Sequence, residues 1–186
     1  MEKELKKYFQ KKLLISIYAD EENMDKFLTG YINRFDDDGI IISHVTPYGT
    51  YDGYVYVKKK DVFRIETNSK YIKKLEKLIL VNDTKRHEEI SIQPNQSLLL
   101  SFFSFVQKMH KLIRIQVEDE YALPIMGFVR RIDNEWLVLD QVDEEGEKNG
   151  ITLVRIDTIY DCESDTVDEQ IIMQIYDYNA TQLEVK

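Results

Sequence analysis

A single cysteine excludes a disulfide framework, and three prolines with seven glycines leave no Pro-rich or Gly-rich low-complexity tract. No apolar run reaches the roughly 20 residues that a membrane-spanning helix needs. The longest, SLLLSFFSFVQKM from Ser97 to Met109, stops short and reads as a buried helix. The opening MEKELKKYFQKK is charged and lacks the apolar block of a secretory signal, so a reduced, cytoplasmic setting is expected. No P-loop, nucleophile elbow, Gly-rich dinucleotide turn or paired His–carboxylate arrangement occurs. The chain therefore reads as noncatalytic, with no catalytic residue, metal ligand or cofactor expected.

What is there suffices for a folded chain: 43% of the 186 residues are hydrophobic and 32% charged. The net charge of −9 is unevenly spread. Residues 1–90 carry 17 Lys or Arg against 16 Asp or Glu, whereas residues 118–170 carry 4 against 16. Such an acidic field repels phosphate backbones, so nonspecific nucleic-acid binding by residues 118–170 is disfavoured.

Residues 30–39 read GYINRFDDDG and residues 127–136 read GFVRRIDNEW. At a spacing of 97, Gly30 meets Gly127, Ile32 meets Val129, Arg34 meets Arg131 and Asp36 meets Asp133. The correspondence continues through Ile40–Ile42 and Leu137–Leu139, Gly49 and Gly146, Gly53 and Gly150, and Glu66 and Glu163. Upstream the spacing becomes 100, matching Ile15 and Ile17 to Ile115 and Val117 with a loop three residues longer in the first copy. Agreement of glycines, charges and apolar positions over nearly forty residues points to internal duplication.

Within each copy LLISI, YVYVK, LIRIQV and ITLV alternate apolar with other residues, as half-buried strands do, and DDDG and DNEW supply tight turns. Five strands per copy are expected, at about 12–18, 28–36, 39–46, 53–59 and 61–66 in the first. Short antiparallel sheets of this kind lose their edges best by closing. Helices flank each copy. Leu5, Tyr8 and Phe9 mark one before the first barrel. Tyr71, Ile72, Leu75, Leu78 and Ile79 share one face after Asn68 and Ser69, and Val167, Ile171, Ile172 and Ile175 repeat that pattern.

A leading helix and five strands with Gly-x-hydrophobic-x-x-hydrophobic-Asp in the second resemble the Sm-like family, through Gly30, Ile32, Phe35 and Asp36 and again Gly127, Val129, Ile132 and Asp133. The chain also resembles two-copy proteins of unassigned role from low-GC Gram-positive bacteria. The resemblance implies a mainly β fold with flanking helices, built as two tandem five-stranded Sm-like or SH3-like barrels. It also implies assembly through strand edges, usually in rings, and in many members single-stranded RNA binding. Two positions depart from the family. Its base-contacting Asn falls on Ile40 and Leu137, and its later Arg-Gly falls on Lys58-Lys59 and Arg155-Ile156. Aliphatic side chains cannot hydrogen-bond a base edge, so no nucleotide-binding residue carries over.

The expected division is a first barrel at residues 1–80, a linker at 81–96 and a second barrel at 97–186. Tyr51, Tyr54 and Tyr56 with Lys58, Lys59 and Lys60 interleave aromatics and cations along one strand, a pattern that suits single-stranded nucleic acid and equally a half-buried strand running out to solvent. Arg130 and Arg131 form a weaker basic pair. Leu99, Phe102, Phe103, Phe105 and Val106 line a helix apolar nearly all round, expected at a seam between copies or subunits. His44, His87 and His110 lie in unrelated contexts, so structural or surface roles are expected for them, and Cys162 occupies the place of Ile65 and is expected to be a small core hydrophobe. Asp36, Asp37 and Asp38 read as turn chemistry. The expectation is a binding or assembly module for a protein partner or a second copy, with an RNA-binding regulator as the alternative. Neither DNA nor a membrane is expected as a partner.

Overall fold

The computed structural model describes residues 1–83, 87–93, 96–118 and 123–184, so parts of the expected linker (84–86 and 94–95) lie outside the described residues. The chain divides into two units, Met1–Leu98 and Leu99–Lys186. The first comprises α1 (Glu2–Gln10), β1 (Leu14–Tyr18), β2 (Leu28–Phe35), β3 (Gly39–Val45), β4 (Tyr51–Lys58), a 3₁₀ turn at Lys59–Asp61, β5 (Arg64–Thr67) and α2 (Lys70–Val81). The second comprises α3 (Leu98–Met109), β6 (Leu112–Val117), β7 (Ile125–Ile132), β8 (Trp136–Val142), β9 (Lys148–Arg155), a 3₁₀ turn at Ile156–Thr158, β10 (Ile159–Ser164) and α4 (Val167–Glu184). Among the described residues no helix is long and apolar enough to cross a membrane.

The architecture is mainly β, but the two closed five-stranded barrels expected from the sequence do not form. Within the first unit the strands run in the order β5-β1-β2-β3-β4, and within the second β10-β6-β7-β8-β9, each an open antiparallel sheet whose end strands do not pair with each other. Closure would require β4 to hydrogen-bond β5. The four residues of β5 are instead all committed to β1, from Arg64 opposite Tyr18 to Thr67 opposite Ile15.

Strand alternation sends side chains to both faces of the first sheet. Ile15 and Ile17 of β1 join Leu5, Ile32, Ile40, Ile42, Val55, Val57 and Val62 on one face, over which Tyr8 and Phe9 of α1 also pack. Leu14 points the other way and meets Val45, Ile72 and Leu75, the last two from α2. Burial on that scale contributes about 1.5–3 kcal/mol per large side chain. Ser69 starts α2 by accepting the Ile72 N–H on its Oγ at 3.2 Å, which satisfies one of the donors a helix start leaves bare. In the second unit Leu112, Met126, Phe128 and Val142 pack with Ile172, Met173 and Tyr176 of α4.

The bounds of β2 and β7, β3 and β8, and β4 and β9 lie 97 residues apart, as do both 3₁₀ turns and the starts of α2 and α4. Both second strands bulge at the same place, between Ile32 and Arg34 and between Val129 and Arg131. The upstream spacing of 100 is corrected by the ladders. Ile15 stands opposite Gly30 and Ile113 opposite Gly127, so Ile15 corresponds to Ile113 and Ile17 to Ile115, a spacing of 98 with a loop one residue longer in the first unit. The motif glycine has a steric cause. A Cβ on Gly30 would stand 2.3 Å from the Ser43 carbonyl oxygen, and one on Gly127 2.4 Å from that of Asp140.

Candidate functional site

The Tyr–Lys strand does not present a stacking surface. Tyr54 and Tyr56 are 5% and 3% exposed, and Tyr51 is half-buried. The Tyr54 ring lies 4.8 Å from that of His87, and its hydroxyl donates to the Glu88 carbonyl at 3.2 Å. The Tyr56 ring spreads over Gly39, where an added Cβ would overlap it. Bases cannot stack on rings already covered on their faces. Lys59 donates to the Asp36 carbonyl at 3.1 Å, Lys58 is half-buried and only Lys60 is exposed.

Leu99, Phe102, Phe103 and Val106 of α3 are buried and Phe105 is half-buried, so most of this apolar surface is already covered within the chain. Gln107 on the helix's polar side donates from Nε2 to the Val129 and Arg130 carbonyls at 3.3 and 3.0 Å. Asp36 and Asp133 are turn residues. Asp36 Oδ1 accepts the Asp38 and Gly39 N–H groups, and Asp133 Oδ1 accepts those of Glu135 and Trp136, which holds the Asp133 carboxyl below its ordinary value. His44 lies 3.2 Å from Asp52, and the His110 ring stacks on Phe128 at 4.7 Å. Cys162 is fully buried, which pushes its thiol well above the ordinary value and removes it as a nucleophile. Among the described residues no three His, Cys, Asp or Glu gather as a metal site.

Sequence reasoning did not single out the outer face of β8 and β9. Register pairs Trp136 with Arg155, Val138 with Leu153 and Asp140 with Ile151, so these side chains share one face. Trp136, Ile151 and Leu153 are 38%, 54% and 57% exposed. The corresponding positions in the first unit are Gly39, Tyr54 and Tyr56, whose rings are buried. Arg130 and Arg131 border this strip from β7, because the bulge there turns both outward. Arg130 grips Asp140 through two contacts, Nη2 to Oδ1 at 2.5 Å and Nε to Oδ2 at 3.1 Å. Arg155 holds Asp157 at 2.6 Å. Arg131 is looser, 3.9 Å from Asp133. The sequence did carry a signal: the only basic residues in 118–170 are Arg130, Arg131, Lys148 and Arg155, and all four fall on β7 and β9.

A second polar cluster gathers around Arg114. Glu169, fully buried at the start of α4, takes the Arg114 Nε at 2.9 Å on one oxygen and the Thr166 N–H and hydroxyl at 3.0 and 2.6 Å on the other. Thr166 and Glu169 have the spacing of a capping box. Glu163 stands 3.3 Å from Arg114; burial first, and then the Glu169 charge, push its carboxyl up to about 7 against the pull of Arg114. The β8–β9 face combines exposed Trp136, Ile151 and Leu153 with the loosely held Arg131 and the paired Arg130 and Arg155. No family model, curated protein or solved structure matches this chain.

Proposed function

We propose that the chain is a noncatalytic cytoplasmic module that binds a protein, a second copy of itself included. The supporting observation is that Trp136 of β8 and Ile151 and Leu153 of the end strand β9 stand exposed together on one face of the second unit's sheet. Apolar side chains clustered on an uncovered sheet face mark interaction surfaces, and an end strand adds bare backbone donors and acceptors. The matched bounds and bulges of the two units support an origin by duplication, and buried Cys162 fits a structural role in a reducing compartment. The Sm-like motif supports assembly rather than base readout, since Ile40 and Leu137 are fully buried where the family places a base-contacting side chain.

The alternative, an RNA-binding regulator, draws on Trp136 beside Arg130 and Arg131, because an aromatic with neighbouring cations suits a base and its phosphate. The acidic balance of residues 118–170 and the carboxylates already held by Arg130 and Arg155 weigh against it.

A photo-crosslinker at Leu153 of the full chain tests the reading inside cells, with Leu80, an exposed position on α2, as the control. A discrete crosslinked protein, or a covalent self-dimer, from Leu153 and not from Leu80 is the expected result. A strict monomer by light scattering with no specific crosslink refutes it. Absence of binding to short U-rich and A-rich RNA at low salt removes the alternative.

A further inference from the structure

The counterpart of the exposed face is already occupied in the first unit, by the chain itself. Residues His87–Ile90 lie along β2 and β4. His87 Nδ1 is 3.0 Å from the Gly53 carbonyl. The Glu88 carbonyl accepts from Asn33 Nδ2 at 2.9 Å as well as from Tyr54. The Ile90 N–H donates to Asn33 Oδ1 at 2.9 Å and its side chain is fully buried. Glu89 places its carboxylate 3.0 Å from Arg34 Nη1. The occupant is thus an acid-acid-aliphatic segment whose backbone is held by the Asn33 and Tyr54 side chains and whose Glu89 pairs with one arginine.

Ninety-seven residues later Arg131 stands where Arg34 stands, opposite Val138 as Arg34 is opposite Ile41, and Ile151 and Leu153 replace Tyr54 and Tyr56. The Arg131 side chain is 67% exposed and its contact with Asp133 is long, so it can turn to a better-placed carboxylate. Arg130 and Arg155 are committed to Asp140 and Asp157. One available guanidinium matches one carboxylate, whereas a phosphate strand needs several cations in an otherwise acidic region.

We propose that the outer β8–β9 face of the second unit binds an extended segment of a partner protein that carries a carboxylate next to an aliphatic residue. The carboxylate is taken by Arg131, and the aliphatic side chain lies against Trp136, Ile151 and Leu153. A second copy's own segment of this chemistry, His87–Ile90, is engaged on its first unit, so the occupant is a different protein, and a covalent self-dimer from Leu153 would overturn this partner chemistry while leaving the binding reading standing. The proposal rests on the binding reading above and specifies the partner's chemistry.

Trp136 is the chain's sole tryptophan and lies on this face, so its emission reports occupancy directly. The full chain is titrated with an acetylated peptide of sequence HEEISIQ, that of residues 87–93, to about 1 mM. A saturable change is expected. It should weaken about tenfold in Arg131→Glu, checked as folded by far-ultraviolet circular dichroism, and by a similar factor when both peptide glutamates become lysine. No saturable change with the wild-type chain overturns the proposal, as does equal binding of the lysine peptide, or a saturable change with short RNA in place of the peptide. If the Leu153 crosslink persists while the peptide fails, this partner chemistry is wrong and the binding module stands; if both fail, both readings fall.

Discussion

Replacing Glu169 by isoleucine tests whether the buried Arg114–Glu169 pair is an integral part of the second unit or an incidental contact. The corresponding positions in the first unit hold Ser16, Thr29 and Ile72 where the second has Arg114, Met126 and Glu169. There Ser16 and Thr29 share a hydroxyl hydrogen bond of 2.9 Å, and Ile72 packs in the core. Glu169→Ile alone removes the carboxylate from Thr166 and Arg114. Loss of the capping box costs about 1 kcal/mol. Stranding one member of a fully buried ion pair costs about 3–5 kcal/mol, but Arg114 is partly exposed and keeps Glu163 at 3.3 Å, so a smaller penalty applies. A total of about 2–4 kcal/mol is expected. The triple variant Arg114→Ser, Met126→Thr, Glu169→Ile transplants the first unit's solution and should return to within about 1 kcal/mol of the parent, since apolar replacement of a buried pair is often neutral. Urea denaturation followed by circular dichroism and Trp136 emission reads both variants, the latter reporting the second unit alone. A loss under about 1 kcal/mol for the single variant, or a triple variant no more stable than the single, would refute the reasoning.

Three other outcomes follow from the same geometry. The native state holds the Glu163 proton more tightly than the unfolded chain, where a glutamate sits near 4.5, so this group's contribution to stability is fully present below about pH 4.5 and is lost as pH rises through about 7. Glu163→Gln should flatten that decline in melts recorded from roughly pH 4 to 8, and an unchanged slope would contradict the assignment. Gly30→Ala and Gly127→Ala each force a methyl group into a backbone carbonyl and should lose about 2–3 kcal/mol or more in chemical denaturation, whereas a loss of a few tenths would show that the facing strands can move apart. Leu5→Ala empties a fully buried site where α1 meets the first sheet and should cost about 2–5 kcal/mol in the same assay; a neutral result would mean that the helix does not pack there.

The local pattern of strands, turns and helix starts was written in the sequence. Alternation located the five strands of the first unit to within a few residues, the Gly-to-Asp motif marked the second strand of each unit with its turn, and Ser69 capped α2 as its position suggested. These features depend on neighbours a few residues away, which a sequence displays directly. Register across the first loop is not legible in the sequence, because Ile115 and Val117 alternate as convincingly as Ile113 and Ile115, and only the hydrogen-bond ladder opposite Gly127 decides between them. The openness of each sheet was likewise a tertiary outcome, since it depends on which distant strand β5 and β10 choose as a partner. Alternation says which side chains share a face, but not whether anything lies over that face. Tyr54 and Ile151 occupy the same place in the two units, yet one is sealed by residues far along the chain and the other stands open, so the candidate site emerged only once the chain was folded.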